Sequence, residues 1–282
     1  MNKKTVHITL SFLLSLFSLT SIAADWKKGV RCFQEEDYDC TLEEITPLAH
    51  RGNMEAQNLL GDMYYNGYGV TKNDSQAVSW YQKAASQGYA DSQVNLGFAY
   101  KKGQGIDKDY ILSAKWYRKA AEQGHNYGQY NLGVSYEFGE GVPKSEEKAV
   151  KWYRKAAEQG LAHAQVNLAT LYRQGRGTEE NHGWAIHWYA RAARQGSPKG
   201  LEYLSSYVSQ GIPDELTVNK PTVYLYQDTD ETSKVIANAK PGDRLYMVGQ
   251  TDDGWYWVYK DVDQQFGFVQ KSQLTIKKKQ AE

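Results

Sequence analysis

The sequence predicts a two-domain chain, a helical solenoid followed by a small all-β barrel, and three observations carry that reading. Trp80-Tyr81, Trp116-Tyr117, Trp152-Tyr153 and Trp188-Tyr189 recur at a constant interval of 36 residues with no insertion between them. A fixed period of roughly 20 to 50 residues marks a stacked array, whose units cannot bury their apolar faces alone. Each unit holds two helical patterns separated by a Gly-x-Gly turn. Beyond Pro221 the helical periodicity stops and apolar residues alternate as they do in strands.

Residues 1–24 read as a secretory signal, with Lys3 and Lys4 at the start, an apolar stretch from Ile8 to Leu19, and Ser21-Ile22-Ala23 as a small-x-small cleavage site. The apolar stretch is shorter than the ~20 residues a spanning helix needs. No cysteine stands at the cleavage site for lipidation. The expectation is a soluble exported protein, periplasmic or secreted, without stable membrane insertion.

Cys32 and Cys40 are the only cysteines of the chain. Export places them in an oxidising compartment, where pairing is the leading reading. They flank a turn between two expected helices, Trp26 to Glu36 and Asp39 to Arg51, so a bridge would staple a capping hairpin. A metal site and a reactive thiol are the rival readings. Two thiols with no nearby histidine do not close a metal shell.

Residues 53–196 form four consecutive units of helix, turn and helix within a repeat domain spanning 25–210. In the second helix of the first unit, Ala77, Trp80, Tyr81, Ala84 and Ala85 share one helical face. The residue seven before each tryptophan is Asn73, Asp109, Ser145 or Asn181. All four have a side-chain oxygen able to cap the first turn. In the first helix of each unit Leu60-Gly61, Leu96-Gly97, Leu132-Gly133 and Leu168-Ala169 precede Tyr64, Tyr100, Tyr136 and Tyr172. The small residue lets helices approach. The pairs Gly67/Gly69, Gly103/Gly105, Gly139/Gly141 and Gly175/Gly177 end that helix, the first of each pair being a natural left-handed cap. Trp116 and Trp152 are expected to fill the seam between a helix pair and its neighbour.

These residues resemble the SEL-one-like repeat, a tetratricopeptide-related helical hairpin with the pattern A-x-x-x-L-G-x-x-Y-x-x-G-x-G-V followed by W-Y-x-K-A-A-x-x-G. Half-units extend it on both sides, around Pro47 to Gly52 and Pro198 to Gln210. The fourth unit departs most, with Ala169 in place of the glycine and Thr178 in place of the aliphatic residue. The resemblance implies a right-handed α-solenoid that binds other proteins as an adaptor or regulator. It implies no enzymatic reaction and no cofactor.

After an expected linker at 211–221, five short strands are read at Val223 to Leu225, Val235 to Ala237, Arg244 to Val248, Trp255 to Tyr259 and Phe266 to Val269. The domain spans 222–276, and a lysine-rich tail occupies 277–282. The run G-D-R-L-Y-M-V, D-G-W-Y-W-V and G-F-V with Leu274 resembles the bacterial SH3-like domain, whose members bind cell-wall peptides or pack against partners. The family's Asn-Val-Arg of the first strand is replaced here by Val223-Tyr224-Leu225.

The 33 basic and 33 acidic residues balance to zero, which removes the broad basic surface that nucleic-acid binding needs. Ser145-Glu146-Glu147-Lys148 matches the Ser-x-x-Lys of penicillin-recognising enzymes, but its partner motifs are missing and Ser145 stands at a cap position. His163, His182 and His187 have no metal-binding spacing, and Asp228/Asp230 and Asp261/Asp263 lack the pattern of a calcium loop. No catalytic or metal residue is expected.

Positions shared by every unit serve folding, so recognition belongs where units differ on a common face. In such solenoids the first helices line the concave side. Their non-core strip runs Asn58, Asp62, Tyr65, then Val94, Phe98, Lys101, then Tyr130, Val134, Glu137, then Val166, Thr170, Arg173. The expected partner-binding residues are Asn58, Asp62, Tyr65, Phe98, Lys101, Tyr130, Glu137 and Arg173, suited to a protein or peptide segment. The alternative is that Phe98 and Tyr130 pack between units. Three roles stay open: a non-enzymatic scaffold or regulator, a peptidoglycan-associated enzyme or modulator acting through the SH3-like domain, and a secreted factor acting on a host.

Overall fold

A computed structural model describes residues 26–209, 215–218, 220–226, 234–250, 254–260 and 265–276. The expected signal, the C-terminal tail, Asp228/Asp230 and Asp261/Asp263 lie outside the described residues. Eleven helices are described, forming a repeat solenoid, and seven antiparallel strands follow.

Within residues 26–144 the chain forms α1 over 26–34, α2 Tyr38–His50, α3 Met54–Asn66, α4 Asp74–Ser86, α5 Ala90–Lys102, α6 Tyr110–Glu122 and α7 Asn126–Phe138. The Cys32–Cys40 disulfide joins α1 to α2, with Cα atoms 5.9 Å apart. Asp37 caps α2 by accepting the Cys40 N–H. Within residues 145–276 the helices are α8 Glu146–Glu158, α9 Ala162–Gln174, α10 His182–Arg194 and α11 Pro198–Ser209.

All four expected N-caps form. Asn73, Asp109, Ser145 and Asn181 accept N–H groups three residues on, at 3.0, 2.9, 3.3 and 2.9 Å. Ser145 thus caps α8. The helices that end at Gly67, Gly103, Gly139 and Gly175 all do so in the left-handed conformation.

The seam is filled by different aromatics from those expected. Trp116 and Trp152 are half-buried, whereas Tyr117, Tyr153 and Tyr189 are 0% exposed. The tryptophan lies one position away, about 100° around the helix, and each carries a cation from the next turn. Lys119 sits 4.2 Å from the Trp116 ring and Lys155 4.7 Å from Trp152. Each ammonium lies over its indole ring, a cation–π contact at the surface.

The second glycine of each turn has a separate role. A Cβ on Gly141 would lie 1.8 Å from the Tyr110 carbonyl oxygen, so the turn of one unit rests on the helix start of the unit before. Gly105 meets Asp74, and Gly177 meets Glu146, in the same way. A buried glutamine adds a second tie. Gln57, Gln93, Gln129 and Gln165 donate to the carbonyls of Ala49, Ala85, Ala121 and Ala157, a second hydrogen bond to helix-end acceptors that also take the N–H of Gly52, Gly88, Gly124 and Gly160.

The strands are β1 Glu215–Val218, β2 Val223–Tyr226, β3 Val235–Ala239, β4 Leu245–Gln250, β5 Trp255–Lys260, β6 Gln265–Gln270 and β7 Leu274–Ile276. Their order is β3-β2-β6-β5-β4-β1-β7. Five strands were expected, and the two additional ones bracket them. β1 lies inside the expected linker and pairs with β4 and β7, contacts too distant in sequence to leave a local pattern. Val218, Val223, Leu225, Ala239, Leu245, Val258, Val269 and Leu274 form the apolar core. Tyr224, between two core positions, is 48% exposed, as period-two alternation requires.

Candidate functional site

Part of the expected strip gathers around one carboxylate. Asp62 follows Gly61 on α3, the position where the small residue admits the Tyr81 ring. A Cβ on Gly61 would lie 2.6 Å from that ring. This contact carries the Tyr81 hydroxyl to Asp62, where it donates to Oδ1 at 2.7 Å. Asn58, one turn earlier, donates to Asp62 Oδ2 at 3.0 Å, and Asn95 of α5 donates to Oδ1 at 3.4 Å. The Asn58 carbonyl oxygen accepts from Ser92 at 2.7 Å and Asn95 at 3.2 Å. The network ties α3, α4 and α5 together with no cation in it.

Burial pushes the Asp62 carboxyl up from 3.8 to about 6. Hydrogen bonds from Tyr81 and Asn58 oppose that rise, and the charge of Asp91 adds to it. Burial, with Asp62 beside it, likewise holds the Tyr81 phenol far above its usual range.

Asp62 borders two hollows. One is a cleft of about 310 Å³ whose walls include Tyr65, Asp74, Tyr81, Phe98 and Gln104. The other, more open and about 460 Å³, is lined by Asn58, Asp91, Val94, His125 and Tyr127. Phe98 is 38% exposed. Tyr65 is half-buried and donates to Gln104 Oε1 at 3.4 Å, while Gln104 donates to Asp74 Oδ2 at 3.1 Å. Asp74 Oδ1 is covered and accepts no hydrogen bond. The Lys72 ammonium stands 4.0 Å from that oxygen and 5.4 Å from the centre of the Tyr65 ring.

Asp62, Tyr65 and Phe98 therefore line one cleft, while Asn58, bonded to Asp62, lines the other hollow. The other expected positions behave differently. Lys101 turns to Glu140, 2.6 Å away. Tyr130 is half-buried and Glu137 is buried. The Arg173 guanidinium lies 5.2 Å from the Tyr203 ring centre.

The position after the small residue varies in kind, and its chemistry follows. Thr170 takes the place of Asp62 in the fourth unit and shares a hydrogen bond of 2.9 Å with Tyr189. Phe98 stands there in the second unit and offers the buried Tyr117 hydroxyl no acceptor of the kind Asp62 gives Tyr81.

Asp74, Ser92, Asn95 and Gln104 belong to the site and were not among the expected residues. Two of them had a signal. The middle residue of the Gly-x-Gly turn varies as Gln104, Glu140 and Arg176, and the first residue of the second helix varies as Asp74, Tyr110 and Glu146. Those two positions pair across units. Arg176 meets Glu146 at 2.8 Å as Gln104 meets Asp74.

Among the described residues no group of His, Cys, Asp and Glu is placed to hold a metal ion, and no helix is long and apolar enough to cross a membrane. His187 has a packing role. Its ring lies 5.3, 5.1 and 6.0 Å from those of Trp184, Trp188 and Trp257, and burial, with Arg191 nearby, lowers it to about 4.

Residues 55–89, 90–125, 126–161 and 162–197 match the Sel1 repeat. The chain is 36% identical to c5321, a protective antigen present in uropathogenic Escherichia coli strains displaying an SLR fold. That alignment covers 71% of this chain and 44% of c5321, with a TM-score of 0.66. A Sel1 repeat protein from Oxalobacter formigenes is also 36% identical, over 66% of this chain and 77% of its own, with a TM-score of 0.61. The chain thus spans less than half the length of the first relative and most of the second. No curated protein matches it. Sel1 repeats commonly serve as protein–protein interaction scaffolds and are typically not enzymes. The four matched repeats and the relative from Oxalobacter formigenes together place the chain in the Sel1 repeat family.

Proposed function

We propose that this chain is a non-enzymatic scaffold or regulator, exported to the periplasm or beyond, whose solenoid grips a segment of a partner protein. The observation that carries this reading is the exposed Phe98 ring at the edge of a cleft that also holds Asp62, Tyr65 and Asp74. An aromatic anchor beside hydrogen-bonding groups is the composition of a recognition surface. The Cys32–Cys40 bridge supports export, since such bonds persist in oxidising compartments. The C-terminal strands are read as an SH3-like domain that gives a second contact to the partner.

The test is capture of partner proteins from an extract of the producing cells by the full chain and by a variant carrying Phe98→Ala, Tyr130→Ala and Lys101→Glu. The variant is expected to retain helicity and to capture its partner at least about tenfold more weakly. Equal capture by both proteins contradicts the reading.

A further inference from the structure

The cleft beside Asp62 is lined by two carboxylates and by aromatic rings, and its chemistry specifies an occupant. We propose that it receives a cationic side chain of the partner segment, an arginine in preference to a lysine. This rests on the scaffold reading above and names the chemistry of the gripped residue.

Three features converge. The lining holds two carboxylates, Asp62 and Asp74, and no lysine or arginine among the described residues. The Asp74 Oδ1 atom takes no hydrogen bond, and its charged neighbour is the Lys72 ammonium 4.0 Å away, so a cation that displaces Lys72 gains an acceptor. An acceptor of that kind is costly to leave unmade once the cleft is closed over by a partner. The third feature is Lys72, an exposed side chain of this same chain. Its ammonium rests over the Tyr65 ring and 4.0 Å from Asp74 Oδ1, too far for a hydrogen bond. Lys72 is not part of the lining, but it is the cation that stands against both Asp74 and Tyr65, the two groups the incoming cation would use.

Size and shape favour guanidinium. A space of about 310 Å³ admits a side chain and excludes a folded element. Phe98 and Tyr65 already face the ammonium groups of Lys102 and Lys72, 5.8 and 5.4 Å from the ring centres. A planar cation stacks on such rings more closely, while its fork of donors suits a carboxylate oxygen that takes no hydrogen bond. Lysine brings a compact, strongly hydrated charge that gains less from the rings. Lys72 competes for the same acceptor, so its removal strengthens binding, an effect opposite in sign to removal of the carboxylate.

The experiment titrates the full chain, disulfide intact and ¹⁵N-labelled, with N-acetyl-arginine methylamide and, separately, with the neutral citrulline analogue of the same shape. The expected result is saturable shifts at the amides of Asp62, Asp74, Asn95, Phe98 and Gln104, with a Kd on the order of millimolar. Citrulline gives none. Asp74→Asn weakens the arginine probe at least about fivefold, and Lys72→Ala tightens it about twofold or more, within the range expected of a desolvated charge contact. Equal shifts from both probes, no saturation by about 50 mM, or no response to either variant overturns the proposal. Lys72 is exposed, so its variant tests the idea even if Asp74→Asn disturbs the start of α4. Loss of partner capture by the Phe98, Tyr130 and Lys101 variant alongside a silent arginine titration removes only the cation. Probe binding with unchanged capture leaves the cleft and removes the scaffold assignment.

Discussion

The Tyr117 ring rests on Gly97, where a Cβ would lie 2.7 Å from the nearest ring carbon, and the same contact joins Tyr81 to Gly61 at 2.6 Å. A helix face with no side chain at that point is what lets a fully buried tyrosine cross the unit. Tyr117→Ala is expected to cost about 3 to 5 kcal/mol, the range for deleting a large buried ring. Trp116→Ala costs distinctly less, because Trp116 is only half-buried. Denaturant melts of both variants check the order, and a larger loss at Trp116 contradicts it.

Gly97→Val should destabilise by about 1 to 3 kcal/mol through overpacking, and Gly97→Ala by less, since Ala169 already stands at the equivalent place in the fourth unit. At Gly141 even a methyl meets backbone. Its φ is +73° and its Cβ would overlap the Tyr110 carbonyl oxygen, whereas Gly124, at +89°, has nothing within 4 Å. Gly141→Ala is therefore expected to lower the melting temperature clearly more than Gly124→Ala, which carries only the left-handed penalty of about 1 to 2 kcal/mol. Equal melting temperatures count against the turn-on-helix contact.

These contacts mark how far the sequence is legible. The period, the caps at Asn73, Asp109, Ser145 and Asn181, and the first glycine of each pair are local signals, and each forms as read. The second glycine and the glutamines at 57, 93, 129 and 165 were visible as recurrences but had no local meaning. Their partners lie in the preceding unit. The tryptophan and tyrosine were adjacent apolar residues, and the burial of one over the other depends on the small residue facing it. The site was legible in part for the same reason. Asn58, Asp62, Tyr65 and Phe98 were found by comparing one helix across units, whereas Asp74 and Gln104 join only because a turn meets the previous unit's helix start.

The Cys32–Cys40 bridge is expected to lower the intact mass by about 2 Da against the reduced chain. It should add about 2 to 3 kcal/mol of stability by the chain-entropy argument for a short loop. Two alkylatable thiols in freshly purified protein, or an unchanged melt for the Cys32→Ser and Cys40→Ser double variant, contradict this.

Asp62 should titrate near pH 6, because burial raises it and Asp91 adds to the rise while hydrogen bonds from Tyr81 and Asn58 oppose it; Asp74 and His125 also face the hollows beside it. Its folded pKa lies above the ordinary value of 3.8, so its contribution to stability is complete below about pH 4 and is lost as pH rises through about 6. Binding of a cation runs the other way, since the ionised carboxylate is the better partner above pH 6. Carboxyl ¹³C NMR measures the midpoint directly, and a value near 4 removes the argument from burial.

Partner capture separates the possible seats of recognition most directly. Compared with the wild-type chain, the variant with Phe98→Ala, Tyr130→Ala and Lys101→Glu is expected to bind its captured partner at least about tenfold more weakly, or about 1.4 kcal/mol, with unchanged helicity. Tyr224→Ala, at an exposed position on β2, is expected to bind as the wild type does. The opposite pattern, full binding by the triple variant and loss with Tyr224→Ala, places recognition on the C-terminal sheet and contradicts a role for the solenoid cleft.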